Sequence, residues 1–283
     1  MALAPPAPYF GGKQRIAQRL VDLLPAHEHY VEPYAGGLSI LMAKPPSKLE
    51  TINDLDQDIM TFWRVLRDRP ADLERACALT PHSRAEHQVS RDRTGLDDIE
   101  RARRVWVSLT QGRGGQLMRT GWRFYLNPAG TSMGMPGYLD GYVDRLAPAA
   151  ERLHRVSLEC RPAIEIIEAY GGSPDTLLYV DPPYLGETRG GRHATNAYVH
   201  EMKGEDEHRE LAAALHAAAA AVVLSGYPSP LYDDLYADWH VTDISAWTGQ
   251  GNHGRSSGGA RTERLWSNVP LGHQQMFDLE GTA

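Results

Sequence analysis

The chain has 283 residues, of which 42% are hydrophobic and 23% charged, with a formal net charge of −7. These proportions are typical of a folded globular protein and exclude a disordered, collagen-like or coiled-coil chain. Two cysteines cannot form a disulfide framework and the sequence opens without a secretory signal pattern, so we expect a soluble cytoplasmic protein without membrane spans.

Hydrophobic periodicity predicts strands and helices in alternation at both ends of the chain. Between them, from about residue 69 to 147, this alternation is missing and arginine, glycine and aromatic residues are frequent. The predicted helices cover residues 13–24, 38–43, 56–67, 163–170, 205–220 and a short segment after Ser229; the predicted strands cover 29–34, 49–52, 155–158, 177–180, 222–225, 239–244 and 262–267.

This alternation predicts an α/β fold, namely a Rossmann-like, mostly parallel sheet with helices on both faces. The irregular segment is interpreted as an inserted, mainly helical recognition lobe. The predicted organisation is therefore a first catalytic part over 1–68, the insertion over 69–147 and a second catalytic part over 148–283.

Three unusual sequences fall where predicted strands end, which is where ligands bind in open sheets of this kind. They are Glu32-Pro33-Tyr34-Ala35-Gly36-Gly37, Asn53-Asp54 and Asp181-Pro182-Pro183-Tyr184. We expect them to form one site.

The first two sequences favour a nucleoside. A glycine turn after the first strand allows close approach of a ligand, and Asp54, which follows the second strand, lies where such folds hold ribose hydroxyls. Because the turn is neither GxGxxG nor a Walker motif, a dinucleotide or triphosphate is disfavoured, whereas S-adenosylmethionine needs no phosphate cradle. Ordinary turn chemistry remains an alternative for this pair of motifs.

The third sequence favours chemistry on an exocyclic amine. Two successive prolines fix the backbone and present carbonyl acceptors, while Asp181 adds a carboxylate and Tyr184 a stacking face. The N6 lone pair of adenine is delocalised into its ring. Accepting its two hydrogens on Asp181 and on the Pro182 carbonyl makes that nitrogen a better nucleophile. A rigid turn without catalytic function is the alternative.

A basic segment points to nucleic acid as the partner. Residues 101–139 contain six arginines and no acidic residue, so the rest of the chain carries −13. Such a segment is typical of a polyanion-binding face, although an ordinary solvated surface also fits. The residues predicted to contact DNA are Arg101, Arg104, Gln111, Arg113, Arg119 and Arg123.

Other chemistries lack their motifs. The histidines show no metal-ligand spacing, so we predict no metal site, and neither cysteine follows a proline, as the nucleophile of carbon-directed cytosine methylases does. One GxGxxG pattern spans residues 249–254, but no apolar helix follows it, which disfavours a dehydrogenase. A mobile loop near the site and a purely structural flexible loop both fit this pattern.

Four motifs in the same order make the sequence resemble the Dam-type, or α-group, DNA adenine N6-methyltransferases: Pro8-Tyr9-Phe10-Gly11-Gly12-Lys13, residues 32–37, Asn53-Asp54-Leu55-Asp56 and residues 181–184. The resemblance implies S-adenosylmethionine as cofactor and duplex DNA as substrate, with Asp181, Pro182, Pro183 and Tyr184 at a flipped adenine. It implies that the cofactor is bound by Tyr9, Lys13, Glu32, Pro33, Tyr34, Gly36, Asp54 and Asp181.

The same resemblance implies a prokaryotic or phage setting of DNA modification, in which a cognate restriction endonuclease is a conceivable partner. Two alternatives stay open. One is the same fold acting on cytosine N4, RNA adenine or protein glutamine, although an aspartate at position 181 favours adenine. The other is a non-catalytic nucleic-acid-binding relative, against which the intact Asp54, Asp181 and Tyr184 argue.

Overall fold

A sheet of seven strands organises the protein, whose computed structural model describes residues 2–118, 120–125, 134–184, 202, 204–247 and 260–272. The strands are β1 (His29–Glu32), β2 (Leu49–Asn53), β3 (Ser157–Glu159), β4 (Thr176–Val180), β5 (Ala221–Gly226), β6 (His240–Trp247) and β7 (Ala260–Ser267). The helices are α1 (Ala17–Val21), α2 (Ser39–Ala43), α3 (Gln57–Asp68), α4 (Pro70–Ala78), α5 (Arg84–Val89), α6 (Asp98–Gln111), α7 (Gly134–Val143), α8 (Leu146–Leu153), α9 (Ala163–Tyr170), α10 (Glu205–Ala217) and α11 (Pro230–Leu235).

The strand order, β3-β2-β1-β4-β5-β7-β6, places the point where the chain reverses direction across the sheet between β1 and β4. Strand β1 pairs in parallel with β2 on one side and with β4 on the other, so that His29 lies opposite both Leu49 and Thr176. Only β7 runs antiparallel, between β5 and β6. A ligand crevice is expected at the carboxyl ends of β1 and β4.

Both faces of the sheet are covered, as the continuous apolar runs of its inner strands require. Along β4, Leu177 and Tyr179 pack into one core with α3, α6 and α8, whereas Leu178 and Val180 pack into a second core with α9 and α10. The predicted fold class, a mostly parallel sheet with helices on both faces, is confirmed.

The segment between β2 and β3 is helical, and its helices share the first core rather than forming one of their own. In α6, Trp106 and Leu109 are buried in this core, and the Trp106 indole donates a hydrogen bond to the Pro6 carbonyl at 3.1 Å. Helix α8 also crosses the predicted boundary at residue 147. The division at residues 69 and 147 therefore stays a prediction. The predicted insertion and the predicted catalytic parts pack together in one core.

The first helix is much shorter than the predicted 13–24, since it begins only at Ala17. Residues 13–16 form a turn instead, closed by the Ile16 amide on the Lys13 carbonyl at 2.9 Å. This turn directs Lys13 toward the end of β4, a distant contact that helical periodicity does not reveal. Among the described residues, no helix is long and apolar enough to cross a membrane.

Candidate active site

A cavity lies at the carboxyl ends of β1, β2 and β4, next to the reversal point of the sheet. The structure brings to its wall every residue that the resemblance assigned to cofactor binding: Tyr9, Lys13, Glu32, Pro33, Tyr34, Gly36, Asp54 and Asp181. Residues from α9 and α10 complete the wall, among them Ile164, Glu207 and Glu210, which the sequence did not single out.

The glycine turn after β1 is held by the acid after β2. The Gly36 amide donates to Asp54 Oδ2 at 2.9 Å, and the Asp56 amide donates to Asp54 Oδ1 at 3.0 Å. Gly36 has a φ of +44°, a conformation that residues with a side chain adopt only under strain. The carboxylate of Asp54 is thus fixed at the cavity wall by backbone donors.

Close packing of Tyr9 explains why the turn contains two glycines. A Cβ atom at Gly37 would lie 2.5 Å from the Tyr9 Cβ, and one at Gly36 would lie 2.9 Å from the Tyr9 ring. Tyr9 therefore fills the space that side chains at these positions would need. The glycines serve this packing as well as the approach of a ligand that the sequence suggested.

Asn53 joins the loops after three neighbouring strands. Its side-chain amide donates to the carbonyls of Pro33 and Arg161, both at 2.9 Å, and its Oδ1 accepts from the Arg161 amide at 2.8 Å. Asn53 is fully buried, so these bonds are not exchanged with water. Its part in the motif is to hold the cavity wall together.

Glu32 is a buried acid at the back of the cavity. Its Oε1 accepts from the Tyr30 hydroxyl at 2.5 Å and from the Leu41 amide at 3.2 Å, while Oε2 has no hydrogen-bond partner among the described residues. Burial raises the pKa of Glu32 to about 7, and the bond from Tyr30 opposes this shift. A ligand that brings a donor or a positive charge would satisfy Oε2.

Lys13 and Asp181 form an ion pair at the end of β4. The Lys13 ammonium lies 2.9 Å from both carboxylate oxygens of Asp181 and donates to the Gly11 carbonyl at 3.1 Å. Burial alone would lower the pKa of Lys13, but the carboxylates of Asp181 and Glu263 reverse this and raise it. Burial raises the pKa of Asp181, and Lys13 opposes that shift. Lys13 is thus a partner of the acid predicted to be catalytic.

The remaining residues of the Asp-Pro-Pro-Tyr sequence are placed differently from one another. Pro183 lines the cavity, whereas Pro182 is buried. The Tyr184 side chain is only 9% exposed, and its ring contacts Tyr227 edge to face at 4.7 Å. The exposed stacking face expected for Tyr184 is not observed; its contacts fix the hydroxyl group, which lies close to Lys13 and donates to Asp181 or Glu263.

Glu263 of β7 is a member of this cluster that sequence reasoning missed. Its Oε1 accepts from the hydroxyls of Tyr184 at 2.7 Å and Ser225 at 2.6 Å. The available signal was an acid at an inward-facing position of a strand, since Glu263 and Leu265 are both buried.

The cavity is acidic. Six of the described lining residues are carboxylic acids and one, Lys13, is basic; the acids are Glu32, Asp54, Asp56, Asp181, Glu207 and Glu210. Such a wall favours a ligand with a positive charge and hydroxyl donors over a phosphate. A nucleoside with a sulfonium charge fits this set of groups. The unpartnered Glu32 Oε2 agrees with such a ligand, because it would accept a hydrogen bond from it. Among the described residues, no cluster of His, Cys, Asp and Glu side chains is arranged to hold a metal ion.

A short hairpin carries the exposed part of the basic segment. The Arg113 amide donates to the Gly121 carbonyl and the Arg123 amide to the Gln111 carbonyl, at 2.9 and 2.7 Å. Aromatic side chains continue this surface, with Phe124 and Tyr125 about half exposed. The hairpin adjoins the cavity because the Phe10 amide donates to the Gly115 carbonyl at 2.8 Å.

The helical half of the basic segment is neutralised by acids that lie outside the segment, one of them in the first turn of the same helix. Arg101 pairs with Asp58 at 2.5 Å, and Arg104 pairs with Glu100 at 2.7 Å. Arg103 pairs with Glu100 and also with Glu86. Counting charges along the sequence therefore overestimated the positive surface, and the prediction that Arg101 and Arg104 contact phosphate is not supported by their surroundings.

Gln111 is not available for contacting DNA, contrary to the prediction. It is fully buried, and its amide bonds the backbone of Ser83 at 3.1 Å and Pro81 at 3.0 Å. Arg123 is half-buried, and its guanidinium lies 5.0 Å from the centre of the Tyr138 ring. Arg119 and the GxGxxG pattern over 249–254 lie outside the described residues.

Two comparisons agree with this site. Residues 9–108 match the family model of the D12 class N6 adenine-specific DNA methyltransferases. The chain is 28% identical over 285 residues to the Type II methyltransferase M1.LlaDCHI of Lactococcus lactis subsp. cremoris, with 94% of this chain and 95% of that protein covered. The predicted resemblance to the DNA adenine N6-methyltransferases is confirmed by these two matches.

The buried Glu32 makes the stability of the fold depend on pH. Its pKa is about 7 in the folded protein against an ordinary 4.5, so its ionisation between these values destabilises the folded state by about 3 kcal/mol in full. Glu32→Gln should remove this loss, which urea unfolding at pH 5, 6, 7 and 8 would measure. Glu168→Gln, at an exposed acid, is the control. An unchanged pH dependence in Glu32→Gln would contradict the assigned burial effect.

Proposed function

We propose that this chain transfers a methyl group from S-adenosylmethionine to the N6 amine of adenine in duplex DNA at the cavity between β1 and β4. The predicted activity, adenine-specific DNA methylation, is confirmed by the two family comparisons. One observation supports this position for the reaction. The carboxylate of Asp181 lines an acidic cavity at the reversal point of the sheet.

The fit of the cofactor rests on three groups of the wall. Asp54, held by the amides of Gly36 and Asp56, would accept ribose hydroxyls. Glu32 Oε2 would accept from a charged amino group, and Tyr34 lines the same wall. When bound, S-adenosylmethionine supplies an electrophilic methyl group, whose transfer gives the amine nitrogen a positive charge until a proton leaves.

The chain's own task is to prepare the amine. Asp181 would accept one N6 hydrogen and later the proton, while the Pro182 carbonyl would accept the other hydrogen. Holding both hydrogens turns the nitrogen lone pair out of the plane of the ring and fixes it in place, and such positioning supplies much of a transfer rate. No covalent enzyme intermediate is required.

Duplex DNA would lie over the hairpin that carries Arg113 and Arg123. A target base must leave the stack to reach the cavity, and contacts to phosphate and to neighbouring bases recover that cost. Exposed Phe124, Tyr125 and Arg113 provide aromatic and positive surface beside Phe10, which lines the cavity. The cellular setting we propose is a prokaryotic or phage cytoplasm, with a cognate restriction endonuclease as a conceivable partner.

Nucleoside analysis tests the function. Labelled S-adenosylmethionine is incubated with duplex DNA or RNA, and the nucleosides are then separated. We expect label in N6-methyladenine from duplex DNA. Label in N4-methylcytosine would instead assign the same site to cytosine, label from RNA would replace the substrate, and no label would refute the proposal.

Substitutions of Asp181 and Asp54 should affect different quantities, the first the rate of methyl transfer and the second the affinity for the cofactor. Asp181→Asn should lower kcat by about 100-fold or more, as loss of an acid-base group does, with cofactor affinity nearly unchanged. Asp54→Ala should weaken cofactor binding by about tenfold or more, because hydrogen bonds to a charged group are lost. Isothermal titration with S-adenosylhomocysteine and single-turnover methylation separate the two effects. If both variants lost affinity equally, the division of roles would be wrong.

Arg113 should contribute to the salt dependence of DNA binding. Arg113→Gln should weaken binding and reduce the slope of log K against log salt by about 1, the amount expected for one phosphate contact. Fluorescence anisotropy between 50 and 300 mM salt measures this slope. The control is Arg69→Gln, an exposed arginine already paired with Asp72. Equal slopes in the wild type and Arg113→Gln would exclude the contact.

A further inference from the structure

A second carboxylate lies behind the proposed catalytic acid. Glu263 comes from β7, the antiparallel strand of the sheet, and its side chain is 5% exposed. Lys13 lies 3.4 Å from Glu263 Oε1 and 2.9 Å from Asp181, so that one ammonium is shared by two carboxylates. The family match ends at residue 108, and no motif of the sequence included Glu263.

Glu263 changes the charge that Asp181 presents to a substrate. Lys13 and Asp181 alone would form a neutral pair, with the carboxylate drawn to the ammonium. With Glu263 included, the cluster of Lys13, Asp181 and Glu263 has a formal charge of −1. Lys13 then interacts with both carboxylates and neutralises Asp181 less completely. A negative cluster stabilises an amine nitrogen that becomes positive better than a neutral cluster does.

Glu263 also competes for the hydroxyl hydrogen of Tyr184. That single hydrogen can be donated to Asp181 Oδ1 at 2.9 Å or to Glu263 Oε1 at 2.7 Å. When it is donated to Glu263, Oδ1 accepts only from Lys13 and keeps a lone pair for the substrate amine. The Ser225 hydroxyl, 2.6 Å from the same Oε1, fixes the Glu263 side chain in this position.

We propose that Glu263 is a positioning residue for methyl transfer, acting through Lys13 and Tyr184 so that the Asp181 carboxylate is a stronger proton acceptor and stays open to the substrate amine. This rests on the proposed function. In the assisted step the nitrogen forms its bond to the methyl carbon as the sulfur–methyl bond breaks, and one N6 proton passes to Asp181. Glu263 itself touches neither the methyl donor nor the amine.

Glu263→Gln tests the proposal because it removes the charge and keeps the size of the side chain. We expect kcat to fall about tenfold or more, as for other lost preorganised charges, with KM for both substrates nearly unchanged. Because Glu263 raises the pKa of Asp181, its removal should move the acidic limb of the kcat profile to lower pH. Affinity for S-adenosylhomocysteine and the melting temperature should stay close to those of the wild type.

The matched control is Asp243→Asn, which makes the same acid-to-amide change at an exposed site on the neighbouring strand β6. An unaltered kcat and pH profile in Glu263→Gln would overturn the proposal, and so would a loss of stability and of cofactor affinity with no shift of the pH profile.

If Glu263→Gln does not fold, Ser225→Ala replaces it: kcat should fall several-fold at constant KM, and an unchanged kcat overturns the proposal. A wild-type protein that labels no adenine would instead refute the proposed function.

Discussion

The ion pair between Lys13 and Asp181 joins two segments that are 168 residues apart and determines the shape of the site. An ammonium buried this deeply is tolerated only when carboxylates surround it, because unpaired burial of a charge is costly. The pair holds the N-terminal segment over the ends of β1 and β4. Tyr9 is thereby packed on Gly36 and Gly37, and the Phe10 amide bonds the hairpin at Gly115.

Charge is separated between the cavity and the surface beside it. The chain is acidic overall, and acids predominate in the cavity wall, which suits a cationic nucleoside. The hairpin next to it presents Arg113 among exposed aromatic side chains, which suits a polyanion whose bases can be stacked upon. A cationic cofactor and an anionic substrate can therefore meet at one site without competing for the same groups.

Several residues took on roles that their local sequence concealed. Arg101 and Arg104 were predicted to bind a polyanion because they lie in a basic segment. In the folded protein they pair instead with Asp58 and Glu100. Gln111 looked available for base contacts and instead bonds the backbone around residues 81–83 inside the protein. The partners of Arg101 and Gln111 lie 28 or more residues away along the chain, beyond the reach of periodicity or composition, whereas Glu100 lies one helical turn before Arg104.

Local patterns in the sequence were enough to predict the sheet with its covered faces and the three motifs at its strand ends, because alternating apolar runs and turn residues act over a few neighbours. From these the place of Asp54 and Asp181 in one cavity could be derived. The pairing of Lys13 with Asp181, the position of Glu263 beside both and the neutralisation of half of the basic segment became visible in the folded chain alone. Such contacts join distant strands and helices, and their energies depend on burial and on distances of a few ångströms, which no local pattern records.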